Sequence, residues 1–181
     1  MKIKVMLLTA LLCFSIVSVA DEPLVINGYV LPPEPDPDVN NATLLGVDAN
    51  DNGVRDDVER WIITKYKDHH KIVTAIGLQG AKAAQVIIQE PENARQTREV
   101  FAQAYHCSFY FEFYAGINNE PLLVDHPMFG NEFENIQFNT TKRARAYGRY
   151  NAALSGGVYT SPSSAEKRAG CDFDVDALLG N

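Results

Sequence analysis

The sequence predicts a mainly α-helical fold, a single-domain bundle of about four helices behind an extended, proline-rich N-terminal segment. Two observations carry that reading. From residue 56 onward, apolar residues recur at three- and four-residue spacings, the period of a helix with one buried face. Before residue 38 the chain holds Pro23, Pro32, Pro33, Pro35 and Pro37, a density that favours extended backbone. With hydrophobic residues at 46% of 181, one domain with a sizeable core is within reach.

Residues 1–20 read as a signal peptide. Lys2 and Lys4 precede an apolar run over 5–19, and Ser18-Val19-Ala20 offers small residues for cleavage after Ala20. The run is shorter than the roughly 20 residues that span a bilayer. The expectation is a periplasmic or secreted protein with no membrane span once the signal is removed. Losing Lys2 and Lys4 takes the net charge from −7 to −9. A surface that acidic argues against nucleic acid and anionic membranes as partners. Residues 21–47 form the extended leader. Tyr29, Val30 and Leu31 suit one short strand clipped onto the body, and Leu44 and Leu45 an anchor at its end.

The helical domain, 48–181, opens on Asp48-Ala49-Asn50-Asp51-Asn52-Gly53-Val54-Arg55-Asp56-Asp57-Val58-Glu59. Counted from Asp48, oxygen-bearing side chains fall at positions 1, 3, 5, 9 and 12, with Gly53 at position 6. A hard cation needs about 6–8 oxygens at roughly 2.3–2.6 Å, and alternate residues of a tight loop supply them. Glycine takes the positive φ of the turn without strain. The stretch resembles the EF-hand calcium loop over its whole length. That resemblance implies Ca²⁺ held by Asp48, Asn50, Asn52, the Val54 carbonyl, Asp56 (directly or through water) and Glu59. Three departures qualify it. Asn52 stands where Asp is commoner, which removes a negative charge and weakens binding. Arg55 stands where Val or Ile is usual, which opposes the small strand that pairs two loops. No second loop and no entering amphipathic helix is present. The motif is therefore more similar to the single loops of dockerin modules and thrombospondin-type repeats than to a calmodulin-like pair. It also resembles short exported bacterial proteins carrying Gly-Val-Asp-x-Asn-x-Asn-Gly-Val-Arg-Asp-Asp-Val-Glu. A lone loop implies a structural ion, because a sensor uses a paired loop and a groove that opens. The plainer alternative is a turn followed by acids that favour a helix N-terminus.

Asp56 or Asp57 begins the first helix, with Val58, Trp61, Ile62 and Tyr66 at helical spacing. Glu59 lies in its first turn, so an ion there would fix that turn. A second helix spans 71–89, where Gly77 and Gly80 join Ala81 and Ala84 in a small-residue stripe. Each glycine costs about 1 kcal/mol against alanine, which predicts a close approach by a neighbouring helix backbone, or a kink. Pro91 opens a third helix. It runs into Phe109-Tyr110-Phe111-Glu112-Phe113-Tyr114, apolar on every side and expected in the core, with a ligand pocket or partner face as the alternative. Residues 116–138 read as a long irregular loop that Phe129, Phe133 and Phe138 hold down. A fourth helix starts near Asn139 or Thr140 and stops at Gly156-Gly157. Lys142, Arg145 and Arg149 share a face of it, expected to be solvated or paired with the acidic leader. The tail suits a short helical turn.

Cys13 leaves with the signal, and Cys107 and Cys171 are expected to pair in an oxidising compartment. Two free thiols, or a metal site using His106, are the alternatives. Adjacent His69 and His70 lack the spacing of a zinc pair. No nucleophile elbow, phosphate loop, zinc-protease helix or dinucleotide fingerprint occurs. The reading is an exported calcium-binding protein acting as a binding or interaction module of the periplasm or cell surface, with no catalytic residue assigned. The rival is a small secreted hydrolase with the 116–138 loop as a lid, which requires Glu112, Asp125 and His126 in one cleft.

Overall fold

Asn-Gly is the pair best suited to two successive positive-φ positions, and it folds the leader back on itself. The computed structural model describes residues 22–158 and 160–180, and the expected signal peptide lies outside them. Strands β1 (Val25–Ile26) and β2 (Tyr29–Val30) pair antiparallel around Asn27 at φ 49° and Gly28 at φ 84°. The Asn27 amide donates to the His69 carbonyl and the Tyr29 hydroxyl to the Lys71 carbonyl, both at 3.0 Å, so the hairpin is clipped onto the body. The rest of the leader departs from the extended chain expected of it, because α1 (Pro37–Ala42) begins there. Proline's fixed φ suits the first position of a helix, and the Asp36 carboxylate caps it by accepting from the Asp38 and Val39 N–H groups. Pro37 therefore opens a helix where a count of prolines suggested none.

The fold is mainly helical, as predicted, but eight α-helices are described where about four were expected. Four are the long ones read from the sequence by period or by their end signals: α2 (Asp56–Lys65), α3 (Lys71–Gln89), α4 (Ala94–Phe109) and α6 (Thr141–Leu154). The others, α1, α5 (Asn131–Gln137), α7 (Ser164–Ala169) and α8 (Val175–Leu179), are too short to show a period. The hub is α3, which packs against α2, α4, α6 and α8. A Cβ at Gly80 would lie 2.1 Å from Phe129 Cε1, and one at Gly77 2.8 Å from Ile62 Cγ2. The close approach foreseen for these glycines is thus made by side chains, a phenyl ring and an α2 isoleucine, not by a neighbouring backbone.

Helix α4 follows a 3₁₀ turn at Pro91–Asn93 and runs into a π-helical turn, Tyr110–Tyr114, closed by the Ala115 N–H donating to the Tyr110 carbonyl. Tyr110 and Phe111 are buried as expected, whereas Phe109 and Phe113 are 37% and 55% exposed. Residues 123 and 124 return along Phe111 by backbone hydrogen bonds and cover that side, leaving Phe113 open. Residues 116–138 are not irregular throughout: they contain α5, which starts after Gly130 with no side-chain cap. Phe129, Phe133 and Phe138 are buried and hold the segment down. Thr140 caps α6 by accepting from the Arg143 N–H, and Ser163 with Glu166 forms a capping box on α7. A Cys107–Cys171 disulfide, with Cα atoms 4.9 Å apart, ties α4 to the segment before α8. Among the described residues no helix is long and apolar enough to cross a membrane.

Candidate metal centre

Residues 48–59 fold as a tight loop running directly into α2. Gly53 takes φ 84° and Asp51 φ 54°. The Asp48 carboxylate turns inward, Oδ1 accepting from the Asn52 N–H at 3.1 Å and Oδ2 from the Gly53 N–H at 2.8 Å. Asn50 Oδ1 accepts from the Asn52 N–H at 3.2 Å, and Asn52 Oδ1 from the Val54 N–H at 2.8 Å. These are successive Asx turns, in which the side chain folds the backbone two residues on. Across the loop, Glu59 Oε2 accepts from the amide Nδ2 of Asn50 at 3.2 Å and of Asn52 at 3.0 Å. Asp56 accepts from the Ala49 N–H at 3.1 and 3.2 Å. Val54 is buried with its side chain in the core.

The electrostatics of the loop are lopsided. Asp56 and Glu59 are 1% and 4% exposed. Burial raises both carboxyl pKa values above the ordinary range, and the surrounding acids, Asp48 among them, push the same way. Among the described residues none of Asp48, Asp56 and Glu59 has a Lys, Arg or His ion-pair partner. Arg60, the cation that acts on Asp56, pairs with Glu34 instead. Buried carboxylates ordinarily carry a paired cation or become neutral.

Carboxylate, amide and carbonyl oxygens at this spacing suit a hard divalent cation. The acids do not suffice alone. Among the described residues no three His, Cys, Asp or Glu side chains gather closely enough to hold an ion. The loop's acids are bridged by Asn50 and Asn52, which face Glu59 with their nitrogens. Coordination requires Glu59 to release those two donors and the amides to turn, which puts Oδ1 where Nδ2 now stands.

Two arginines fix the entry to this loop. Arg55 is fully buried and points out of it, Nε 2.5 Å from Asp57 Oδ1, with Nη1 donating to the Gln137 carbonyl at 3.0 Å and Nη2 to the Ile136 carbonyl at 2.6 Å. Those are unpaired carbonyls at the C-terminus of α5, where a cation is favoured. Arg143, also fully buried, donates to the carbonyls of Asn40 at 2.6 Å, Leu44 at 2.9 Å and Thr43 at 3.3 Å. It reaches the side-chain oxygens of Asn139 at 2.6 Å and Asn41 at 2.9 Å as well. Burial, and then the nearby Arg55 cation, lowers the Arg143 pKa to about 10, so it stays charged at neutral pH. Gly46 fits between them at φ 76°, where a Cβ would lie 2.3 Å from Arg55 Cδ and 2.8 Å from Arg143 Nη2.

Sequence reasoning missed this clamp. Arg55 stood out only as a departure from an aliphatic position, and Arg143 was hidden in a basic helix. The available signal was Gly46. Of the face read as basic, Lys142 donates to the Ala42 carbonyl at 3.1 Å and Arg149 pairs with Glu92.

Glu112 and His126, two of the residues required by a hydrolytic site, divide between two adjoining cavities, with His126 acting on the charge of Glu112. Asp125 and His126 pair at 2.5 Å, with Asp125 exposed and His126 stacked on Tyr66. His126 lines a cavity of about 260 Å³ with Lys65 and Tyr66, while Glu112 lines a neighbouring one of about 270 Å³ with Phe109 and Phe113. His106 loses its potential thiolate neighbour to the disulfide, and His70 Nδ1 accepts from the Ile72 N–H at the start of α3. No protein-family model, curated protein or solved structure matches this chain.

Proposed function

We propose that residues 48–59 bind one calcium ion with a structural role, in an exported protein that acts as a binding or interaction module of the periplasm or cell surface. The observation that carries this reading is the set of inward-turned acids without a cation, Asp48, Asp56 and Glu59, joined by Asn50 and Asn52 in the order an EF-hand loop requires. A divalent ion held by these residues and the Val54 carbonyl offsets the burial, and after it the repulsion among the acids, that raise the Asp56 and Glu59 pKa values. Because Glu59 lies in the first turn of α2, the ion joins loop to helix and its binding energy adds to folding. The Cys107–Cys171 bridge supports export, since such bonds persist in oxidising compartments.

The test is a thermal melt of the chain from residue 21 onward in EDTA and in 10 mM CaCl₂, with Trp61 fluorescence as a second readout. For a single extracellular-type loop with Kd of about 10⁻⁴–10⁻³ M, calcium at that level stabilises by about 1.4–2.7 kcal/mol. Glu59→Ala abolishes the rise and leaves the fold intact by circular dichroism. Coincident curves in EDTA and calcium would reduce the loop to a turn.

A further inference from the structure

A second carboxylate without an ion-pair partner lies in the π-helical turn that follows α4. Glu112 is half-buried, and among the described residues it has no hydrogen bond or ion pair. Its cavity, about 270 Å³, is walled by Tyr105, Phe109, Phe113, Met128 and Phe129. Ser108 and the Tyr105 hydroxyl are the only other polar side-chain groups on that wall. The rings form two groups: Phe109 and Phe113 with centroids 4.6 Å apart, and Tyr105 and Phe129 5.6 Å apart. The π-helical turn Tyr110–Tyr114, a feature frequent at functional sites, carries Glu112 and Phe113.

We propose that this pocket binds an organic cation of the trimethylammonium class. The choice follows from the wall. Aromatic faces attract a cation through their quadrupoles, and a carboxylate beside them supplies the countercharge. A primary ammonium carries three strongly hydrated donors, and on this wall its oxygen acceptors sit among rings and a thioether that replace none of the rest of its water. A methylated ammonium has no N–H to satisfy and fills apolar space. The volume lies just below the range of about 300–1,000 Å³ usual for small-molecule sites, so a headgroup fits and a larger ligand does not. His126, the side chain that acts on the Glu112 charge, is already hydrogen-bonded to Asp125 and leaves the carboxylate available.

The experiment titrates choline chloride into the calcium-loaded protein, followed by ¹H–¹⁵N NMR, beside the neutral isostere 3,3-dimethylbutan-1-ol and methylammonium. Choline moves the resonances of residues 105–113 and 127–129. The isostere and methylammonium bind about tenfold more weakly or not at all. Glu112→Gln and Phe113→Ala each weaken choline about tenfold, with the fold by circular dichroism and the calcium response unchanged. Phe113 is exposed enough for truncation to leave the fold intact. Sedimentation with phosphatidylcholine vesicles separates the two sources of the group: choline-competed co-sedimentation identifies a lipid headgroup, and its absence a free ligand. Equal binding of choline and its neutral isostere overturns the proposal, as does equal binding of methylammonium or an absence of shifts. Because the calcium response is measured on the same samples, failure here is distinct from failure of the loop.

Discussion

Arg143 and Glu59 are both buried, ionisable and close to the entry of α2, yet their surroundings differ in kind. Arg143 meets five oxygens from α1, the chain after it and Asn139, and these use the planar fork of the guanidinium. Glu59 meets two amide N–H groups and the repulsion of other acids. The cation is complete without anything from solution. The anion is not. A buried charge whose partners all come from the chain serves folding, whereas one left short of countercharge is where an ion from solution gains most. Arg55 sharpens the contrast: it lies within the loop's own sequence, yet it spends its donors on Asp57 and on α5 rather than on the acids beside it.

The strongest way to break this comparison is Arg143→Met. It strands buried acceptors, each costing about 1–3 kcal/mol, so a loss of at least about 3 kcal/mol is expected. In a chain of this size that lowers the melting point by about 6 °C or more. The loss should be the same in EDTA and in calcium. If added calcium restored it, the arginine and the loop would be one device and the contrast would be wrong.

The disulfide gives the next largest effect. The bridge closes a separation of 64 residues, and replacing both cysteines by serine should cost about 2–4 kcal/mol. Cys107 and Cys171 are not among the candidate ligands in residues 48–59, and substitutions that share no partner add in their effects. The calcium-induced rise in midpoint, itself worth about 1.4–2.7 kcal/mol in 10 mM CaCl₂, should therefore survive the double substitution. Its disappearance would show that the loop is ordered only through the C-terminal tail.

How much of this was legible follows from what each element writes into sequence. Helices α2, α3 and α6 announce themselves by period and by their ends, because a long amphipathic helix repeats its pattern several times. Helix α5 has seven residues, too few for a repeat, and α1 is disguised by the proline that starts it. The cysteine pair follows from parity once Cys13 is assigned to the expected signal peptide. The candidate ligands are read from spacing alone; residues 48–59 do fold as one tight loop, but with the nitrogens of Asn50 and Asn52 toward Glu59, an orientation that spacing does not encode. Burial of Arg55 and Arg143 is not written locally, because their acceptors come from α5, α1 and the segment before the loop, up to 103 residues away. The exposure of Phe109 and Phe113 was missed for the same reason: composition says a segment is apolar, but only the neighbours decide which side is covered.

The smallest effect tests whether Glu112 belongs with Glu59 or with the satisfied charges. Burial raises its carboxyl pKa above the ordinary value, with His126 opposing. A carboxyl whose folded pKa is raised favours the fold while protonated, and that stability is lost as pH rises through the folded value. At pH 7, Glu112 is therefore a small net cost, reduced by solvent at a half-exposed carboxyl, and Glu112→Gln should raise the melting point slightly. Near pH 4 both states of the wild-type chain are largely protonated at this site, and the difference should shrink toward zero. Melts of the two proteins across pH 4–8 decide it. A gain that is constant with pH would mean that the carboxylate is not short of countercharge, and the aromatic pocket would lose its reason to attract a cation.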